Sequence, residues 1–196
     1  MLKTHLVRST KSKTPSFKYL GLLFLLLTFY STAFAQLVPI SLDQRIDKST
    51  QIFEGEVVSK NSYWDDDKKH IYTVNVINVY KVFKGASSQK QIEVITKGGI
   101  VGDVMEEISH SLQLNVGDAG IFTAIESPAK LNTNSKLTRL KAYAEQQGFI
   151  KYNLSKQSAE DVFNTYKSIS KDVYPKIKNR TKISVKVVQK DKFNLK

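Results

Sequence analysis

The chain has 196 residues, 41% hydrophobic and 24% charged, the balance of an ordinary globular protein, which excludes disordered, fibrous and low-complexity classes. Its formal charge of +12 is unevenly placed: residues 1–35 hold five basic and no acidic residues, residues 36–175 hold 17 of each, and residues 176–196 hold eight basic and one acidic. A nucleic-acid-binding domain carries its basic footprint on the part that docks, and that part is neutral here, so no nucleic-acid partner is expected.

Lys3, Arg8, Lys11, Lys13 and Lys18 open the chain, and Tyr19 to Tyr30 is a nearly unbroken apolar run of twelve residues. Ser31-Thr32-Ala33-Phe34-Ala35 then offers small residues where a signal peptidase reads, so residues 1–35 read as a signal peptide cleaved between Ala35 and Gln36. A membrane-spanning helix needs about 20 apolar residues, more than this run supplies. The expectation is a secreted protein, in the periplasm, on the cell surface or outside the cell, with no transmembrane segment after cleavage. With no cysteine, neither a lipidated cysteine nor a disulfide is available, and the domain expected over residues 36–175 must be held by its core.

Ser41 is a helix N-cap followed by Leu42 and Ile46 at near-helical spacing, which predicts a short helix over Ser41–Lys48. Ile52 to Ser59 reads as a strand, with Gly55 where a strand bends or meets a close neighbour. Asn61 to Lys69 is polar and acidic and predicts a hairpin tip. His70 to Lys84 alternates most clearly, Tyr72, Val74 and Val76 facing one way and Thr73, Asn75, Ile77 and Val79 the other, so it predicts a long, bent strand. A turn over Gly85-Ala86-Ser87-Ser88 leads to a third strand, Gln91–Thr96. Gly98-Gly99-Ile100-Val101-Gly102 predicts tight backbone between strands, and Asp103 to Asn115 reads as a loop with some extended parts. Val116-Gly117-Asp118 is a turn, Ala119–Ile125 a fourth strand, and Glu126–Leu137 a polar loop. Leu140–Glu145 and Gly148–Asn153 then close the sheet. Ser158 to Tyr166 has a serine cap and first-turn acids, which predicts a C-terminal helix. Residues 176–196 form a basic tail or the start of a further segment; Ile183–Val188 is strand-like without an evident partner.

The chemistry-bearing residues are few. Asp65, Asp66 and Asp67 beside Trp64 and His70 invite a calcium reading, but calcium loops place acids at alternate positions with a glycine at the turn, so a solvated tip is expected instead. Zinc needs three or four converging ligands, and neither a cysteine nor a His-x-x-x-His pair is present. Glu106 or Glu107 with His110 could in principle serve hydrolysis, but sequence neighbours rarely form a triad. The glycine run lacks the Lys-Ser or Lys-Thr end of a phosphate loop. No catalytic, metal or cofactor site is therefore expected.

Taken in order, Ile52-Phe53-x-Gly55-x-Val57, Tyr72-x-Val74-x-Val76-x-x-Val79-x-Lys81-Val82-x-Lys84-Gly85, Ile92-x-Val94-x-Thr96 and Leu114-x-Val116-Gly117-Asp118 resemble two modules. The first is an N-terminal module of large secreted proteins of the Bacteroidetes, which precedes protease-like or adhesive domains and a sorting signal for type IX secretion; the likeness runs from Leu37 to about Lys176. The second is the netrin-like module of the tissue inhibitors of metalloproteinases, with the same strand sequence and a Lys-Gly ending after the second strand. That resemblance implies an OB-fold, a five-stranded Greek-key barrel, here with a short N-terminal and a C-terminal helix. The inhibitors insert an N-terminal cysteine into the protease zinc site, and this chain has none, so that chemistry does not carry over.

The expected function is an exported, non-catalytic interaction or accessory module, normally the front of a larger secreted or surface protein. Its partner would be a protein, either a secreted protease or downstream domains of the same polypeptide. The surface expected to meet it comprises Trp64, Asp65, Asp66 and Asp67 at the hairpin tip with Gly98, Gly99 and His110. The alternative is an inhibitor or propeptide-like regulator of a secreted metalloprotease.

Overall fold

The computed structural model describes residues 37–86, 88–193 and 195. Residues 1–35, where a signal peptide is expected, and Ser87 of the expected turn lie outside them. Among the described residues no helix is long and apolar enough to cross a membrane.

Helix α1 (Leu42–Lys48) starts where the cap predicts, Ser41 Oγ accepting from the Gln44 amide, and it buries Leu42, Arg45 and Ile46. Strands β1 (Gln51–Trp64) and β2 (Ile71–Lys84) form a long antiparallel ladder from Ile52↔Lys84 to Trp64↔Ile71. Three register shifts, at Ile52/Phe53, Glu54/Gly55 and Val57/Ser59, bend β1, as bulges do. Gly55 sits at one of them for want of space, because a Cβ there would lie 2.5 Å from Ile77 Cγ2 and 2.6 Å from the Asn78 carbonyl oxygen. The tip is shorter than the sequence suggests: β1 continues through Asn61–Trp64, where Ser62 Oγ and Thr73 Oγ1 meet across the ladder at 2.9 Å.

Strand β3 (Gln91–Lys97) pairs antiparallel with β2. Strands β4 (Gly99–Val101) and β5 (Val104–Glu106) make a separate two-stranded ribbon; β5 is an extended part of the loop expected over Asp103–Asn115. The ribbon's larger apolar side chains, Ile100, Val104 and Met105, are exposed, so they carry no buried alternation that a sequence could display. Strand β6 (Ala119–Glu126) pairs antiparallel with β1, from Gln51↔Ala124 to Glu56↔Ala119. Strand β7 (Arg139–Ala142) pairs antiparallel with β6 and parallel with β3, through Glu93↔Arg139 and Val94↔Leu140. A 3-10 turn (Glu145–Gly148) leads to β8 (Phe149–Asn153), which lies antiparallel on β6.

The helix expected at Ser158–Tyr166 is a hairpin of β9 (Ser158–Glu160) and β10 (Thr165–Tyr166), added to the sheet through β8. Asp161 is the reason: its Oδ1 accepts from the Phe163 and Asn164 amides at 3.0 and 2.9 Å, a turn that competes with helix. The C-terminal helix comes later, as a π-helical turn (Ile169–Val173) running into α2 (Tyr174–Thr181). The strand-like run near the end does have a partner: β11 (Lys186–Val187) lies antiparallel on β2 through Lys186↔Val82 and Val187↔Lys81. Residues 176–196 thus pack with the rest of one unit spanning Val38–Lys196.

The fold is mainly β with a short N-terminal and a C-terminal helix, and apolar side chains are buried on both faces of the sheet. One cluster, with Phe53, Ile77, Val79, Ile92, Val94, Phe122, Leu140 and Phe149, is enclosed by β1, β2, β3, β6, β7 and β8. The Phe122 ring stacks on Phe53 at 5.2 Å and on Phe149 at 4.5 Å, each pair adding about 0.5–1.5 kcal/mol beyond the area it buries. The other main cluster packs Ile52, Phe83, Ile121 and Ile150 against Ile46 of α1, Ile177 of α2 and Phe193. This is why β6 is buried at six consecutive positions from Ala119 to Ala124 rather than alternately.

Candidate functional site

The β1–β2 connection, Asp65 to His70, is built by one carboxylate. Asp65 Oδ1 accepts from the Lys69 amide at 2.7 Å and the His70 amide at 3.2 Å, while the Asp65 amide donates to the His70 carbonyl. Partial desolvation pushes the Asp65 carboxyl up, but those two amides outweigh it and hold the group below its ordinary value. Asp65 is therefore an ionised turn-former. The neighbouring Asp66 amide donates to the Lys130 carbonyl at 3.2 Å, which ties the tip to the connection between β6 and β7.

That connection, residues 127–138, is pinned from below. Leu131 packs in one buried cluster with Val74 and Ile95. Arg139 donates from Nε to Glu93 Oε2 at 2.9 Å and from Nη1 to the Leu131 carbonyl at 3.0 Å, with a further bond to Thr133 Oγ1. Between the pinned loop and the tip lies a cleft of about 350 Å³. Its floor is Tyr72 of β2 with Ile95 and Lys97 of β3; one wall is Asp65, Asp66 and Asp67; the other is Ser127 to Lys130 with Lys141 and Glu145. Lys97 and Glu145 pair across it at 3.2 Å. The lining thus carries carboxylates on the tip and ammonium groups at Lys97, Lys130 and Lys141 over a partly apolar floor, a set that can grip a polar ligand from both sides.

Trp64 does not line this cleft. It lies half-buried in a second hollow of about 530 Å³ with Asp65, Asp66, Lys68, Leu131 and Asn132. Gly98, Gly99 and His110 are not among the described residues lining either hollow. Gly98 (φ 85°) and Gly99 (φ 147°) start the β4–β5 ribbon, where a Cβ on Gly99 would lie 2.3 Å from Ser62 Oγ and 2.6 Å from Thr73 Oγ1. His110 sits exposed in a separate left-handed turn (φ 62°). The structure therefore gathers the tip residues and sets the other three apart.

Glu106 meets His70, the histidine the hydrolytic pairing left out. Its Oε1 lies 2.9 Å from His70 Nδ1, and its Oε2 accepts from the Ile71 amide. The Ile71 amide and then His70 hold the Glu106 carboxyl below its ordinary value, so it fastens the ribbon to the tip as an anion. Among the described residues, no three His, Asp or Glu side chains are placed to hold a metal ion.

The tip was visible in the sequence as an acidic, polar stretch. The rest of the cleft was not, because Tyr72 and Lys97 meet through the β2–β3 pairing and Lys141 and Glu145 reach them only through the parallel β3–β7 pairing. The one local signal was Leu131, a leucine inside an otherwise polar stretch of the loop. No protein-family model matches the chain, and no curated protein matches it.

Proposed function

We propose that the chain is an exported, non-catalytic interaction module, an OB-type barrel that holds its partner in the cleft between the β1–β2 tip and the β6–β7 loop. The barrel reading is supported by the order of pairing: β1 with β2, β2 with β3, β3 with β7 in parallel, β7 with β6, and β6 back to β1. The observation that carries the functional reading is the position of the cleft. It lies on the β2–β3 face between the loops joining the first and second and the fourth and fifth strands of that order, which is where OB-folds bind their ligands. The leader-like residues 1–35 and the neutral charge of residues 36–175 support an exported module that docks through specific contacts rather than bulk charge.

The test is site-specific photo-crosslinking in the cells that make the protein. A photoreactive side chain at Asp67 should give a discrete adduct, and the same group at Glu160, on the distant β9, should not. Replacing Lys141 and Asp66 together by alanine should remove the Asp67 adduct without lowering the melting temperature. Equal labelling from both positions, or an adduct that survives the double replacement, would take the cleft out of consideration. The intact mass of the recovered protein would show whether Gln36 is its first residue.

A further inference from the structure

Two exposed apolar patches with opposite charge lie far apart on the β1–β2 ladder. The first is the β4–β5 ribbon, where Ile100, Val104 and Met105 are 61%, 47% and 66% exposed and Ile100 and Met105 sit directly across from each other. The turn at its end is open, since a Cβ built on Gly102 would meet nothing within 4 Å. Its charged residues are Asp103, Glu106 and Glu107, and no lysine or arginine occurs from Gly98 to Ser111. The second patch surrounds β11, where Ile183 and Val187 are 47% and 65% exposed among the exposed Lys178, Lys182, Lys186 and Lys190. Among the described residues β11 pairs with β2 alone, so one of its edges is open.

These patches cannot satisfy each other within one chain. The base of the ribbon packs at Thr73, and β11 pairs at Lys81 and Val82. At about 3.3 Å per residue, the intervening stretch of β2 separates them by roughly 25–30 Å. Exposed apolar clusters of this kind mark interaction surfaces, and the lysines alone would guard the open edge against pairing. An acidic complement converts that guard into a selective contact, because like-charged edges still repel while the ribbon is attracted.

We infer that the β4–β5 ribbon of one copy docks on the β11 edge of a second copy, head to tail. Ile100 and Met105 cover Ile183 and Val187, and Asp103 and Glu107 face Lys182 and Lys186. The contact uses a different surface at each end, so every added copy leaves one ribbon and one edge free, and the assembly extends as an open chain unless the rotation closes a ring. This does not rest on the cleft, which belongs to neither patch.

The test is sedimentation of the chain from Gln36 to Lys196, which leaves out the apolar run at residues 19–30 and keeps the whole unit Val38–Lys196, over a range of micromolar concentrations in low and high salt. Two variants accompany it, Ile100→Ser/Met105→Ser, which removes the ribbon patch, and Lys186→Glu, which reverses charge on the edge. Mean mass should rise with concentration in low salt and fall as salt screens the charges. Each variant alone should associate at least about tenfold more weakly. A mixture of the two should stop at a dimer, since the edge of the first variant and the ribbon of the second form one good contact. Asp103→Lys should partly restore binding to Lys186→Glu. Melting temperatures close to that of the unaltered chain confirm that the variants are folded, and Ile183→Ser replaces Lys186→Glu if that variant is not. A monomer at every concentration in low salt, a dimer that persists in both variants, or a mixture that stays monomeric would each overturn the inference.

Discussion

Replacing Arg45 with methionine should be among the most damaging single changes this domain can receive. Arg45 is 1% exposed; its Nη2 lies 2.5 Å from Asp161 Oδ2, with the two side chains 1% and 2% exposed, and its Nη1 donates to the Gln147 carbonyl. The same Asp161 builds the β9–β10 turn and accepts from the Tyr166 hydroxyl at 3.1 Å. Without the guanidinium a buried carboxylate stands uncompensated, which costs about 3–5 kcal/mol. With ~1 kcal/mol worth about 2–4 °C for a domain of this size, the melting temperature should fall by roughly 6–20 °C. Removing both charges, as Arg45→Met with Asp161→Asn, should cost less than Arg45→Met alone, because the isosteric amide keeps the turn acceptor and needs no counter-ion. Burial pushes the Asp161 carboxyl up, but the Phe163 amide and the Arg45 guanidinium outweigh it, so the folded group titrates below its unfolded value of 3.8. Its contribution is then present above that value and is lost as pH falls through the lower, folded one. Urea unfolding of the four members of a double-mutant cycle, at neutral pH and toward pH 3, measures both effects. Strict additivity of the two substitutions, or an Arg45→Met loss below about 1 kcal/mol, would refute the reasoning.

Three further outcomes follow from the packing. Gly55→Ala should lower stability by about 1–3 kcal/mol through overpacking against Ile77 and Asn78, read as a lower urea midpoint with an unchanged slope. Phe193, 5% exposed and set edge-on to Tyr80 at 5.0 Å and Tyr152 at 5.9 Å, anchors the C-terminal segment; Phe193→Ala should cost up to about 3 kcal/mol and make the chain after Lys182 sensitive to trypsin. Glu106→Gln should loosen the ribbon at neutral pH, seen as faster amide exchange at Ile71 and residues 99–106. Because the folded Glu106 carboxyl titrates below 4.5, the unaltered protein should lose that protection only as pH falls through the lowered value, and the variant should show no such acid limb.

Strands with a buried face on a regular ladder were legible in the sequence. The alternation from His70 to Lys84 marks β2 because Thr73, Asn75, Ile77 and Val79 face inward together, and the Ser41 cap marks α1. Two segments were not legible, for opposite reasons. The apolar side chains Ile100, Val104 and Met105 of the β4–β5 ribbon are exposed, so no buried apolar period exists to be read. Residues 158–166 do have a helical cap signature, but Asp161 spends its carboxylate on turn amides and on Arg45, a residue 116 positions away. In the candidate site, the Asp65–Asp67 wall is local and was visible; Lys97, Lys130 and Lys141 converge only after β7 has paired with β3.

The distribution of buried charge accounts for where this cysteine-free fold is rigid. At the end of the ladder away from the tip, Glu54 is 0% exposed and accepts from Lys81 Nζ at 2.7 Å, from the Tyr152 hydroxyl at 2.8 Å and from the Tyr174 hydroxyl. Lys81 also donates to Asp191 at 2.6 Å. Burial and the Glu54 charge raise the pKa of Tyr152 and of Tyr174, so both phenols remain neutral donors, and the buried carboxylate is met by fixed partners rather than by water. Glu54 thereby joins β1, β2, β8 and α2, and Lys81 extends the link to the C-terminal segment at Asp191, doing for distant parts of the chain what a disulfide would do elsewhere. At the tip the restraints are the Asp65 turn, one backbone hydrogen bond from the Asp66 amide to the Lys130 carbonyl and the Glu106 clasp, all at the protein surface, where opening is least costly. If the cleft holds a partner as proposed, its rim can open or shift at that end of the ladder without disturbing the buried Glu54 network.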